Sequence, residues 1–115
     1  GILAANPDKR PFVLSRSNIL GGQRYAAMWT GDNEATYEQM KLSVPMSITL
    51  GLSGQPFNGP DIGGFAGNTI ADLWGHWLGF GAFFPFSRGH ASCDTNNKEP
   101  FGHLLRIYRE SHVLH

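Results

Sequence analysis

The stretch AAMWTGDNEATYEQM, residues Ala26 to Met40, decides the reading of this chain. An apolar run, Ala26 to Trp29, stops at Thr30-Gly31-Asp32-Asn33, and helix-compatible residues follow at once. A strand feeding a helix through a short polar turn is one βα unit, the building block of parallel α/β architectures. Within the turn, Thr36 and Gln39 have the Ser/Thr-x-x-Glu/Gln spacing of a capping box, which predicts a helix starting there. Asp32 then has two readings. It is a helix N-cap, as Asp often is, or it is a general acid at a strand tip, its pKa adjusted by neighbours such as Trp29. Capping by Asn33 or Thr36 would free it for the second role.

Working outward, Arg10 to Ser17 (RPFVLSRS) is a short apolar run bounded by Pro and Ser, and predicts an earlier strand. The helix after Asp32 is expected to carry Tyr37, Met40, Leu42, Val44, Ile48 and Leu52, with Pro45 kinking or interrupting it and Gly51 or Gly54 ending it. Residues 55–68 (QPFNGPDIGGFAGN) predict a strand running into a turn. Residues 69–82 (TIADLWGHWLGFGA) predict a second helix, with Leu73, Trp77 and Phe80 near helical spacing. AFFPFSRGH, ending at His90, predicts a last strand. The expected order is strand, strand, helix, strand, helix, strand, in an α/β fold with parallel strands. Polar residues gather where the strands end: Arg16, Asp32, Asp61, Arg88 and His90.

The totals exclude several classes. The 115 residues contain 9 basic and 9 acidic side chains, a formal net charge of zero, so no cationic field marks a nucleic-acid or anionic-membrane partner. No apolar run reaches the roughly 18 residues of a membrane span. A single cysteine, Cys93, rules out an intrachain disulfide and leaves the compartment unassigned. Fifteen glycines and 12% aromatic residues suit a core-heavy domain with tight turns. Starting at GILAANPDKRP, without an initiator Met or a signal segment, the sequence reads as part of something longer.

Other motifs carry less. Residues 59–68 (GPDIGGFAGN) lack the Lys-Ser/Thr of a P-loop and the G-x-G-x-x-G spacing of a dinucleotide site, so their glycines are read as turn formers around Asp61. Phe86 to His90 (FSRGH) puts Arg88 and His90 two residues apart, on one face of a strand. His76, His90, His103, His112 and His115 show no metal-binding spacing, and no metal or other cofactor is implied. Trp74, Trp77 and Phe84 are assigned to the core. Trp29 and Phe65, each within four residues of a strand-end acid, remain candidates for stacking on a sugar face.

Together RPFVLSRS, GGQRYAAMWTGDN, GLSGQPFNGPDIGGF and GAFFPFSRGH resemble the motifs of glycoside hydrolase family 31, in the family's order and spacing. The resemblance covers about residues 5–100 and is nearest the α-glucosidase branch. It implies a partial (β/α)8 TIM barrel, roughly its last four strands, within residues 1–100, and leaves residues 101–115 as an unaligned tail. It also implies a retaining α-glycosidase that acts on an oligosaccharide or α-glucoside, with Asp32 as general acid/base. Arg16 and His90 would contact the sugar at the −1 subsite, Trp29 and Phe65 would line that pocket, Asp61 would organise Arg16 by charge, and Arg88 would belong to the same wall. The family's nucleophile motif, W-x-D-M-N-E-like and on an earlier strand, does not occur in these 115 residues. The missing N-terminal half of the barrel is therefore an expected partner. The chain alone is expected to be poorly soluble or molten and to give no turnover. A catalytically inactive carbohydrate-binding piece, or a structural half-barrel, are the competing readings.

Overall fold

The computed structural model describes residues 1–102; the tail histidines His103, His112 and His115 lie outside the described residues. A short helix α1 (Ile2–Ala5) precedes strand β1 (Leu14–Ser15). A single 3-10 turn (Gly22–Arg24) leads to β2 (Ala27–Trp29). Helix α2 (Tyr37–Leu52) follows, then β3 (Asn58–Gly59) and β4 (Asp61–Ile62), α3 (Ala71–Gly81) and β5 (Arg88–Gly89).

β1, β2 and β3 form one parallel sheet in that order, and β4 pairs in parallel with β5. β3 and β4 are one extended run divided at Pro60, which has no N–H to offer a ladder. Across that division, Phe86 N–H still donates to the Asn58 carbonyl at 3.1 Å. Four parallel runs therefore lie side by side in chain order. That is the expected sequence of elements, with the third strand split.

Side chains in a strand alternate between faces, so the register determines what lies together. Leu14 sits beside Ala27, Trp29 beside Gly59, and Asp61 beside Arg88. One face therefore carries Phe12, Leu14 and Arg16, then Trp29, then Phe57 and Asp61, then Phe86, Arg88 and His90. The other face, with Asn58 and Ile62, meets the helices. There Met40, Ile62, Leu73 and a fully enclosed Trp77 (0% exposed) form the core, with Tyr37 and Phe84 packed against it. Each such large apolar side chain contributes about 1.5–3 kcal/mol on burial.

Both helices depart from expectation in instructive ways. α2 starts as its capping box predicts, with the Thr36 hydroxyl accepting from Gln39 N–H at 3.2 Å. Pro45 does not interrupt it, and α2 runs continuously for 16 residues. Pro45 is exposed, and the carbonyl left without an i+4 donor belongs to Lys41, which is exposed too. The helix ends at Gly54, in the left-handed region at φ +84°. Gly54 N–H donates to the Gly51 carbonyl and Gln55 N–H to the Leu50 carbonyl, the paired bonds of a Schellman stop. On α3 the buried side consists of Leu73, Trp74, Trp77 and Gly81, while Phe80 points outward. Tyr37 O–H donates to the Asp72 carboxylate, tying the start of α2 to the start of α3.

Candidate active site at the strand ends

All seven candidate residues lie at or just beyond the C-terminal ends of the four strand runs. Arg16 follows β1, Trp29 closes β2, and Asp32 lies in the turn after it. Asp61 starts β4 and Phe65 follows it; Arg88 starts β5 and His90 follows. The sequence placed Arg16, Asp32, Asp61, Arg88 and His90 at strand ends, and the register sets Arg16, Trp29, Asp61 and Arg88 towards one face.

Asp61 is the centre of the cluster. It is 0% exposed, and its Oδ1 accepts from Arg88 Nε at 2.7 Å. The pairing differs from the sequence expectation, in which Asp61 organised Arg16. The reason is register, since Asp61 and Arg88 are direct neighbours across β4 and β5. Burial pushes the Asp61 carboxyl above the usual carboxylate range, and the Arg88 guanidinium pulls it part of the way back. Its second oxygen, Oδ2, is buried without a hydrogen-bond partner among the described residues. Such an acceptor suits a polar ligand group, because a buried oxygen left unpaired is costly.

Arg88 also lies over the Trp29 ring, 5.1 Å from its centroid, a cation–π contact that holds both side chains. Trp29 Nε1 is likewise buried without a partner. Phe65 and His90 face each other with ring centroids 5.2 Å apart and planes tilted by 30°, forming a second wall.

Asp32 does not cap α2; Thr36 does. Its carboxylate is accessible, and Arg16 Nη1 lies 3.5 Å from its Oδ2. An exposed pair at that distance is weak, so the Asp32 side chain stays accessible. Arg16 thus meets Asp32 rather than Asp61.

Sequence reasoning missed the residues that brace these loops. Asn33, seen only as a possible cap, is buried and bonds across to residues 61–65. Asn96 accepts from Thr69 N–H and donates to the Thr69 carbonyl. Lys98, buried, donates to the Gly67 carbonyl at 2.7 Å and to Asn96 Oδ1 at 2.8 Å, and burial lowers its pKa. The polar run TNNK was the available signal, although nothing in it marks the lysine as enclosed.

A groove of about 500 Å³ shares Arg16 and Trp29 with the cluster, but the rest of its lining is Met28, Thr30 and Gly31 with residues of α2, Leu42 to Leu50. Asp32, Asp61, Phe65, Arg88 and His90 are not part of its lining. Among the described residues no group of three or more His, Cys, Asp or Glu is arranged to hold a metal ion. No helix among them is long and apolar enough to cross a membrane.

This arrangement of sequential parallel strands, with acids, an arginine and rings at their C-terminal ends, is where α/β barrels carry their chemistry. The sequence profile of the glycosyl hydrolases family 31 TIM-barrel domain matches residues 1–111. The chain belongs to glycosyl hydrolase family 31. A probable glucan 1,3-alpha-glucosidase of Oryza sativa subsp. japonica is 54% identical over 102 residues, covering 88% of this chain and 11% of the relative. The crystal structure of a glucosidase II alpha subunit, in its Glc1Man2-bound form, superposes with a TM-score of 0.83 at 45% identity, covering 89% of this chain and 11% of that one. The cycloalternan-degrading enzyme of Trueperella pyogenes, in complex with a covalent intermediate, gives 0.79 at 26% identity, covering 93% and 16%. The family 31 chain described here thus spans roughly a tenth to a sixth of the length of these relatives.

Proposed function

We propose that this chain is a part, roughly the last four strands, of the catalytic barrel of a retaining α-glucosidase-type enzyme, and that it supplies the acid side of the sugar pocket. The observation that carries this reading is the convergence of Arg16, Trp29, Asp32, Asp61, Phe65, Arg88 and His90 at one end of four parallel runs. The family membership supports it.

In this reading the Asp32 carboxyl donates its proton to the glycosidic oxygen as the bond from that oxygen to the anomeric carbon breaks. The resulting carboxylate then takes a proton from the water that attacks the glycosyl-enzyme. Such a mechanism needs a nucleophilic carboxylate about 5 Å from the acid. Asp61 is enclosed and engaged by Arg88, which suits it to orienting a sugar hydroxyl through Oδ2. The nucleophile is assigned to another part of the complete enzyme. The covalent intermediate named for the Trueperella enzyme agrees with a covalent route. Arg16 and His90 hydrogen-bond the sugar, and Trp29 and Phe65 flank it. An α-glucoside or oligosaccharide is the substrate.

The test is made in the full-length chain that contains this segment. It should hydrolyse maltose with retention, and Asp32→Asn should lower kcat/KM on maltose by about 10²–10⁴-fold. The 115-residue chain alone should release no glucose. Unchanged hydrolysis by the Asp32→Asn enzyme would overturn the assignment of the acid. Saturable sugar binding by a full-length chain without any turnover would favour a carbohydrate-binding role.

A further inference from the structure

Asp32 itself has little to hold it: among the described residues its side chain has one hydrogen-bond or ion-pair partner, Arg16 at 3.5 Å, with both groups exposed. The next residue is the opposite. Asn33 is 8% exposed, its Nδ2 donates to the Asp61 carbonyl at 3.0 Å, and its Oδ1 accepts from Phe65 N–H at 2.9 Å. The Asn33 carbonyl accepts from the Phe65 and Ala66 N–H groups, and Ala35 N–H donates to the Ala66 carbonyl. The backbone that presents Asp32 is thereby bound to the loop that presents Asp61 and Phe65.

Resting on the reading of Asp32 as the acid, we propose that Asn33 is a positioning residue for proton donation. Its carboxamide keeps the Asp32 loop in register with the Phe65 loop, so that the acid stands at a constant height over a sugar lodged against the ring. Both ends of the carboxamide are used, one as donor and one as acceptor, so only an amide of this length adds both side-chain bonds to the backbone ones. An Asp at the same position accepts from Phe65 N–H but offers the Asp61 carbonyl no donor. An Ala leaves that carbonyl unbridged. In either variant the backbone bonds of residue 33 to Phe65 and Ala66 remain, the side-chain brace that sets the height of the acid loop is lost, and the Asp32 carboxyl is retained.

Leaving-group dependence tests this in the full-length enzyme. Maltose has a sugar leaving group that must be protonated, whereas 4-nitrophenyl α-glucoside loses a phenolate that needs little help from an acid. Asn33→Ala and Asn33→Asp should each lower kcat/KM on maltose by about 10²-fold, the scale of a misplacement of roughly 1 Å. On the aryl glucoside the loss should stay within about three-fold. A residue that merely supports the fold lowers both alike, and equal losses, or none, would overturn the proposal. If Asn33→Ala does not fold, Asn33→Asp, which keeps the size and the acceptor, carries the same comparison. Asp32→Asn is the control. If it too lacks leaving-group selectivity, the acid assignment has failed, and this proposal with it; if it is selective and the Asn33 variants are not, only the role of Asn33 is overturned.

Discussion

Asp61 shows how a single side chain can be legible in type and illegible in partner. A carboxylate just after NGP was visible as a strand-end acid, but its counter-ion is chosen by which strand pairs with β4, and that is a property of register. The pair with Arg88 is the most enclosed ion pair among the described residues. Removing the cation while the acid stays buried is costly, so Arg88→Met should destabilise the full-length protein by about 3 kcal/mol at neutral pH. The pH dependence follows from the raised pKa of Asp61. The native carboxyl holds its proton to higher pH than the same group in the unfolded chain. Its contribution is therefore fully present below the unfolded value near 3.8 and lost as pH rises through the raised native value. A protonated Asp61 needs no counter-ion, so the deficit of Arg88→Met should shrink towards acid. Denaturant midpoints of both proteins at about pH 4 and about pH 7 check this, and an equal deficit at both would count against it.

Helix α2 shows what element boundaries owe to local chemistry. Its start was readable from Thr36 and Gln39, and its stop to within Gly51 or Gly54, because caps are built from residues adjacent in sequence. The interruption expected at Pro45 does not occur, since its cost depends on which side of the helix faces water, and that is set by packing on the sheet. Two opposite outcomes are expected in α2, each read by amide hydrogen exchange in the full-length protein. Thr36→Ala removes the cap and should lower α2 stability by about 1 kcal/mol, roughly a five-fold loss of protection. Pro45→Ala restores a missing hydrogen bond at an exposed site and should raise it by about 1–3 kcal/mol. Loss of protection in the Pro45→Ala protein would show that the ring has a packing role absent from this account.

At the scale of the whole molecule, among the described residues one face of the sheet is covered by helices and the other is not. Phe12, Phe57 and Phe86 touch one another on the uncovered face, with centroids 6.0–6.5 Å apart, yet Phe12 is 61% exposed. Ile19, Leu20, Leu52 and Phe83 are more exposed still. Among the described residues β1 and β5 each have one edge without a strand partner. Exposed apolar faces and open parallel edges favour association. The isolated 115-residue chain should therefore bind the dye ANS, show weak near-UV circular dichroism, and melt without a cooperative transition. A sharp transition in a monomer would show that the covered face alone suffices.

By itself the sequence determined the order and kind of the main elements, the start of α2, the enclosed side of α3 at Leu73 and Trp77, and the placing of Arg16, Asp32, Asp61, Arg88 and His90 at strand ends. These follow from period, capping and turn chemistry, which act over a few neighbours along the chain. Only the tertiary structure decided that Asp61 pairs with Arg88, that Arg88 lies over Trp29, that α2 runs on through Pro45, and that Asn33 ties the Asp32 loop to Phe65. Each depends on groups 27 to 59 positions apart or on which way an element faces, and strand register and helix packing set those distances without leaving a mark on neighbouring residues.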